Sequence, residues 1–400
     1  MKRFIKLTAL VLSVLMLLPA VPAVFAETAD PADSQLRFNE DGTFKIMLFA
    51  DPQDDEDLEE TTTALMCEAL DKYKPDLVIY LGDNTVADGY ENQRKAIEAV
   101  TKPVVDRNIP YSIVFGNHDE EHNVSKEELL AIYQTLGNCL TYDAVPELSG
   151  CGNCNHPIYS SDGSKIAFNL WLIDSGMYYY DRSVSYYDIV HEDQLAWYKA
   201  TAASLAEQNG GEPVPAMDFQ HIVIPEIFDE IYVEMPFAMG DLTQERNGKI
   251  YSSLPVFTRL NGYWLEVPCP PDIYDGQLDV WKETGDVIAE FHGHDHNNSY
   301  QVNIDGIDVI NVPSCGCNSY SKDVSRGCGL ITLHEDDPEN YDYQLIRMYD
   351  LALCSGSAIS DAEGGRSKVY YALVKAADTL VQTIFFLFRP FYKLFPEGLI

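Results

Sequence analysis

Three short apolar runs alternate with helix-like segments in the first third of the chain. The runs span residues 44–50, 77–81 and 111–115, and their length and apolar character predict buried strands. Between them, residues 58–73 and 91–106 have the apolar spacing of amphipathic helices. Because crossover connections between parallel strands are right-handed, this order predicts three parallel strands lying side by side.

Polar side chains stand where each of these predicted strands ends. Asp51 and Asp83 follow the first two runs, and Asn117 follows the third after Gly116, which permits a tight turn. Open α/β sheets bind ligands at the carboxyl ends of their strands, so we expect these three side chains to meet. Carboxylate and amide oxygens are hard ligands, which indicates a cation.

Histidines follow two further apolar runs in the second half of the chain. His221 lies in a strand-like run at 219–224, and His294 and His296 follow the run at 287–291. A lone histidine is more often a hydrogen-bonded core residue, but imidazoles added to two aspartates and an asparagine suffice for two transition metals that share one carboxylate.

Four alternating segments after His296 predict strands of a second sheet: 299–304, 307–312, 329–333 and 343–348. The fold class expected is α/β, with two packed mixed β-sheets flanked by helices. The candidate ligands are spread from Asp51 to His296, so this whole span must fold as one unit.

Five sequence blocks occur in a fixed order: ADPQ (50–53), GDN (82–84), GNHDE (116–120), QHIVIPE (220–226) and GHDH (293–296). As a set they resemble the calcineurin-like metallophosphoesterases. The connecting segments FNLWLIDSG (168–176), QLAWYKA (194–200) and GDVIAEFHGHDHNNSY (285–300) are similar to the branch of the plant purple acid phosphatase 29 type. The resemblance covers residues 44–348 and implies the calcineurin-like metallophosphatase fold.

The resemblance also implies a centre for two divalent or mixed-valence metal ions, with Fe, Mn or Zn expected. Its ligands divide into Asp51 and His296 for the first ion, Asp83 as the bridge, and Asn117, His221 and His294 for the second. His118 is the implied catalytic residue, which protonates the leaving alkoxide or contacts the phosphoryl group beside Asn117, and Asp119 orients it.

Two positions depart from the family pattern. The first block of the family reads D-x-H, whereas here it reads Asp51, Pro52, Gln53, so that an imidazole ligand is replaced by a weaker amide oxygen or by nothing. We therefore expect a looser first metal site at Gln53. The purple enzymes carry a tyrosine three residues after the bridging aspartate, and Val86 in that place predicts a protein without the purple colour.

The N-terminus has the pattern of a secretory signal. Residues 1–26 combine Lys2, Arg3 and Lys6 with an apolar run at 7–18 and end in VFA, which predicts export to the extracellular space or cell surface. An uncleaved anchor is the alternative. We assign residues 27–42 to a leader, 43–350 to the catalytic domain and 351–400 to a C-terminal tail.

The net charge of the chain limits the partners that it can bind. The full chain has 27 basic and 63 acidic side chains, and removal of the signal leaves a net charge of −39. Such an excess repels the phosphate backbones of nucleic acid polymers and anionic lipid headgroups. A small phosphorylated substrate is expected instead. Arg182, in the aromatic segment 177–187, is a candidate phosphate contact, although surface packing explains that segment equally well.

The nine cysteines include the pair CGNC at 151–154. In an exported protein such a pair favours a local or longer disulfide, with zinc binding or free thiols as alternatives. An odd number of cysteines leaves at least one thiol unpaired.

The tail contains a long helical pattern from Lys368 onwards. Lys375 and Asp378 within it argue against a membrane span, while the run 384–388 followed by Arg389 and Lys393 is typical of a helix at a membrane interface. A helix that covers the catalytic domain is the alternative.

Three functions are compatible with the sequence. The first is an exported phosphomonoesterase with a water activated by two metals. The second is a phosphodiesterase that acts on a small nucleotide or a lipid headgroup. The third is a catalytically weak surface protein that binds metal or phosphate, and Gln53 is its motivation.

Overall fold

The structure is a computed structural model that describes residues 35–237, 243–246, 249–252 and 262–392. The predicted signal peptide, residues 1–26, lies outside the described residues, as do residues 27–34 of the leader and 393–400 of the tail.

A first sheet contains β1 (Thr43–Phe49), β2 (Leu77–Leu81), β3 (Tyr111–Val114), β13 (Gly327–His334) and β14 (Tyr341–Arg347). Their order is β14-β13-β1-β2-β3. The pairs β1–β2 and β2–β3 are parallel, as the β-α-β-α-β pattern predicts. Strands β13 and β14 are antiparallel to their neighbours, so the sheet is mixed.

A second sheet contains β4 (Cys154–Tyr159), β5 (Ile166–Leu172), β6 (Ala216–Phe219), β10 (Val287–His292), β11 (Gln301–Ile304) and β12 (Ile307–Asn311). Their order is β11-β12-β10-β6-β5-β4, and the central strands β12, β10, β6 and β5 are parallel. A small third sheet consists of β7 (Val233–Met235), β8 (Thr243–Arg246) and β9 (Lys249–Ser252).

The helices are α1 (Glu60–Tyr73), α2 (Tyr90–Val105), α3 (Lys126–Thr135), α4 (Glu192–Gln208), α5 (Ile227–Ile231), α6 (Gln277–Thr284), α7 (Met348–Ala352) and α8 (Lys368–Tyr392). Local sequence sets their ends. For example, Ser125 and Glu128 exchange side-chain to backbone hydrogen bonds that satisfy the first free N–H groups of α3.

Three buried clusters define the layers. Residues such as Ile46, Leu170 and Phe291 fill the space between the two sheets. Helices α1, α2 and α3 cover the outer face of the first sheet, and α4 and α6 cover the outer face of the second. This arrangement of two packed mixed sheets flanked by helices confirms the predicted fold class.

The assignment of the last four strands was wrong for two of them. Strands β11 and β12 join the second sheet, but β13 and β14 return to the first, where Ile331 of β13 lies opposite Ile46 of β1. Alternation along a strand shows which side chains share a face, but it does not show which strand is the partner.

The expected disulfide at 151–154 was also wrong. All nine cysteines lie in the described part of the chain, and all are free thiols. The Cys151 sulfur points to Asp143 at 3.7 Å, whereas Cys154 lies beside His156 at 3.8 Å. The two side chains of the pair therefore have different neighbours.

Helix α8 has two different faces. Tyr371 joins the buried cluster that contains Tyr349 and Leu351, and the Asp378 carboxylate accepts hydrogen bonds from the hydroxyls of Tyr263 and Tyr349. Across the described residues, no helix has the length and apolar content needed to cross a membrane.

Candidate metal centre

The strand ends of the first sheet carry the first ligand candidates. Asp51 follows β1 and Asp83 follows β2, and backbone hydrogen bonds from Asp51 N to Gly82 O (3.2 Å) and from Gln53 N to Asp83 O (3.0 Å) tie the two ends together. Asp51 and Asp83 have positive φ angles of 47° and 49°, a strained conformation for residues other than glycine. The surrounding structure holds both carboxylates in this conformation.

Asp83 belongs to two groups of three ligands. It forms one group with His221 and His294 and another with Asp51 and His296, and within each group the ligand atoms lie within 4.8 Å of one another. All five side chains are buried. A carboxylate shared by two such groups has the arrangement that a dinuclear centre requires. These two groups thus contain all five aspartates and histidines among the seven predicted metal ligands.

The imidazoles are oriented by their second nitrogen. His221 Nδ1 donates to Leu81 O at 2.8 Å, and His296 Nδ1 donates to Tyr320 O at 2.8 Å, which leaves Nε2 of each ring for the centre. The Nε2 atom of His294 is buried and has no hydrogen-bond partner within the described ranges, whereas Nε2 of His221 lies 3.3 Å from Asp83 Oδ2. Asn117 Oδ1, like Nε2 of His294, is buried without a hydrogen-bond partner among the described residues. Buried acceptors without donors fit a cation as their missing partner.

The charges of the centre are strongly coupled. Burial would raise the pKa of Asp83, but the charge of His221 and its hydrogen bond outweigh burial and hold that pKa below its ordinary value. Conversely, burial would lower the pKa of His221, but Asp83 raises it to about 9. Burial keeps the pKa of His294 well below its ordinary value. A cation that binds here competes with a proton on His221.

Two glycines allow this close approach of ligands. A Cβ atom on Gly116 would lie 2.2 Å from Asp83 Oδ1, and one on Gly82, where φ is +86°, would lie 2.5 Å from His221 Nδ1. Any side chain at either position would displace a ligand.

Gln53 contacts the bridging carboxylate. Its Nε2 donates to Asp83 Oδ2 at 2.9 Å, and the residue is buried with a positive φ of 42°. Whether its amide oxygen also binds a metal remains a prediction. The side chain therefore lies in contact with Asp83, the residue that the two ligand groups share.

His118 lies at the edge of the centre. Its backbone N donates to Asp83 Oδ1 at 2.8 Å, and its ring Nδ1 lies 2.6 Å from Glu121 Oε2. The second oxygen of Glu121 accepts from the Tyr178 hydroxyl at 2.7 Å. The ring is therefore held from one side, and its Nε2 is left for a substrate.

Asp119 does not orient His118, contrary to the sequence-based prediction. Its carboxylate accepts from the backbone N of Gly116 (2.7 Å), Asn84 (2.9 Å) and Thr85 (3.3 Å). Burial raises the pKa of Asp119 to about 6. Asp119 fixes the loops after β2 and β3, and Glu121 takes the orienting role.

Tyrosine side chains form a rim around the metal centre. The sequence left open whether the aromatic segment 177–187 belongs to such a rim or to an ordinary surface. The Tyr187 ring packs on His294 with centroids 4.5 Å apart, and Tyr320 stacks on His296 at 4.1 Å. Arg182 lies over the Tyr178 ring at 4.1 Å, so it belongs to the rim. Glu121 was readable from GNHDEE, three residues after His118, but the tyrosine contacts depend on long-range folding.

The chain is similar in sequence to known phosphoesterases. The model of the calcineurin-like phosphoesterase family matches residues 44–310. Similar chains include two from Arabidopsis thaliana. Probable inactive purple acid phosphatase 14 is 27% identical over 315 residues, covering 72% of this chain and 74% of its own. Probable inactive purple acid phosphatase 29 is 26% identical over 328 residues, covering 73% and 77%. Phosphatase DCR2 of Saccharomyces cerevisiae is 26% identical over 295 residues, covering 68% of this chain and 47% of its own. The predicted resemblance to the purple acid phosphatase 29 type is confirmed.

Proposed function

Because the chain belongs to the calcineurin-like phosphoesterase family, we propose that it is an exported phosphomonoesterase that depends on two metal ions. The observation that carries the proposal is the sharing of Asp83 between two buried ligand groups. Fe, Mn or Zn are the ions expected, since imidazole and carboxylate ligands together suit these metals.

The residues present would divide the work of the reaction. Bound cations would supply positive charge for the phosphate oxygens and would acidify a water. The groups that would hold them are Asp51, Asp83 and His296 on one side, and Asp83, Asn117, His221 and His294 on the other. His118 would donate a proton from Nε2 to the leaving oxygen, because Glu121 holds the ring through Nδ1.

A metal-binding protein without turnover is the second candidate. Its support is Gln53, which takes the place of a histidine ligand and donates to Asp83. The names of the two plant relatives, which call them probable inactive phosphatases, favour it as well. Against it stands the held ring of His118, which binding alone would not need.

One experiment separates these candidates. The experiment uses the chain from Glu27 onwards and its variants Asp83→Ala and His118→Ala. For each protein we measure the metal content and the rates of hydrolysis of a chromogenic phosphate monoester and of a bis-ester. Asp336→Ala, an exposed position, is the control for Asp83→Ala. We expect two metals and monoester turnover in the wild type and the control. His118→Ala should keep its metal but lose turnover, and Asp83→Ala should lose both.

Metal binding without turnover of either ester would establish the binding protein, and preference for the bis-ester would make the enzyme a diesterase. Without metal in the wild type, the whole proposal fails.

Contact with a membrane surface through the tail is part of the same proposal. Val369, Leu373, Leu380 and Ile384 lie along one side of α8 and are 71%, 64%, 62% and 41% exposed. Tyr371 and Asp378, on the opposite side, are buried. A helix with a second apolar face suits an interface. Leu373→Glu with Leu380→Glu should abolish binding to phosphatidylcholine vesicles, whereas Val184→Glu, at an exposed loop position, should not.

A further inference from the structure

A pocket lies beside the loop 316–326, which contacts His296 through Tyr320 O. It has a volume of about 480 Å³, and its lining includes Ser321, Lys322, Arg326, Arg366 and Tyr370. None of its lining residues belongs to the two ligand groups of the metal centre. It is therefore a separate cavity between the loop 316–326 and the beginning of α8.

Positive charge converges on this pocket in an otherwise acidic chain. Lys322, Arg326 and Arg366 all line it, although the chain has only 27 basic side chains against 63 acidic ones. The carboxylate in the lining, Asp323, accepts a hydrogen bond from the Tyr370 hydroxyl at 2.6 Å. In the part of the chain that the structure describes, none of the three cations forms an ion pair, and Lys322 Nζ donates to the backbone oxygen of Leu265 at 3.2 Å.

Arg326 is the buried member of this cluster and lacks a full set of hydrogen-bond partners. The residue is only 5% exposed, its Nη1 atom has no hydrogen-bond partner among the described residues, and its Nη2 atom makes one long contact of 3.4 Å to Ser321 O. A buried guanidinium without an anion is costly, so the protein stabilises such a group only when a partner compensates it. The planar fork of arginine matches the oxygens of a phosphate group.

We propose that this pocket binds a phosphate-type oxyanion, with Arg326 at its base and Lys322 and Arg366 at its walls. Two sources share this chemistry, free inorganic phosphate and the phosphate of a lipid headgroup. The pocket also communicates with the metal centre through one loop, because Tyr320 O and the Ser321 hydroxyl both contact His296. An anion in the pocket fixes the loop that orients this ligand.

The test measures phosphate binding by calorimetry in four proteins. Wild type is compared with the double variant Lys322→Gln, Arg366→Gln, which changes exposed residues and leaves the buried Arg326 in place. Lys95→Gln, at an exposed position of α2 remote in sequence from the pocket, controls for the loss of a positive charge. Asp83→Ala removes the bridging ligand of the metal centre, so that any phosphate still bound reports on the pocket.

We expect Asp83→Ala to retain phosphate binding and the double variant to weaken binding at this site roughly ten-fold, since hydrogen bonds to charged groups are stronger than neutral ones. The effect should shrink at high salt. If phosphate does not bind to Asp83→Ala, binding to vesicles of phosphatidylcholine and phosphatidic acid in equal parts is compared with binding to vesicles of phosphatidylcholine alone, because α8 is itself expected to bind the latter. A gain in binding from phosphatidic acid that the double variant loses and Lys95→Gln retains identifies the headgroup as ligand.

Two results overturn the proposal. One is equal phosphate binding, or an equal gain in vesicle binding from phosphatidic acid, in the double variant and Lys95→Gln. The other is the absence of phosphate binding in Asp83→Ala together with equal binding of this variant to vesicles with and without phosphatidic acid, when circular dichroism shows that the variant is folded.

Discussion

The contact between Glu121 and His118 makes the sharpest prediction about catalysis. Replacement of Glu121 by Gln removes the negative charge beside His118 Nδ1 while it keeps the size of the side chain. The charged acceptor that holds the ring at 2.6 Å is then replaced by the weaker, neutral amide oxygen of glutamine. Metal content should stay unchanged, because Glu121 belongs to neither ligand group.

The size of the effect follows from geometry and exposure. A hydrogen bond between charged groups contributes about 1.5 to 3 kcal/mol when it is buried. Here the side chains of His118 and Glu121 are 39% and 33% exposed, so solvent screens the pair. A discounted contribution of about 1 kcal/mol corresponds to a rate loss of roughly five-fold.

The assay compares two leaving groups. If Glu121 acts by holding the proton donor, kcat for phenyl phosphate should fall about five-fold, whereas kcat for 4-nitrophenyl phosphate should change little, because a good leaving group needs less protonation. Glu120→Gln is the matched control, since it removes the same charge from the adjacent residue. Equal losses for both substrates, or equal losses in both variants, would refute the orienting role of Glu121.

Three further perturbations test other parts of the structure. Gly116→Ala should lower metal content, measured by atomic emission, because its Cβ would lie 2.2 Å from Asp83 Oδ1; full occupancy would contradict the argument. Gln53→His should tighten the weaker metal in a competition titration with a chelator, and an unchanged affinity would show that this position is not a ligand site. Burial lowers the pKa of His156 to about 4, so the folded state binds a proton at this residue less readily than the unfolded chain does. The free energy of unfolding should therefore fall as pH drops from about 6.5 towards 4, by up to about 3 kcal/mol. Urea titrations at both ends of this range should show the fall in wild type and a smaller one in His156→Phe.

The sequence was most informative where chain order alone determines position. Parallel strands joined by helices bring their carboxyl ends to one edge, so Asp51, Asp83 and Asn117 could be placed together before any coordinates. The same reasoning extends to His221 and His294.

It was least informative where the partner is chosen in three dimensions. Alternation in β13 and β14 did not show that they pair with the first sheet. A carboxylate next to His118 in sequence was assigned to its ring, yet Asp119 turns to the backbone of Gly116, and Glu121 has the reach to contact the ring. Spacing of cysteines at 151–154 likewise did not reveal that their side chains have separate neighbours.

The ligands come from both sheets, and this has a thermodynamic consequence. Asp51 and Asp83 follow strands of the first sheet, while His221 and His294 follow strands of the second. An ion bound by these residues would link the two sheets, and its binding site exists only when the sheets are packed together. Because the unfolded chain lacks this arrangement, the folding equilibrium becomes a function of the free metal concentration around the protein. A metal-poor medium would then deplete the folded population as well as the loaded site.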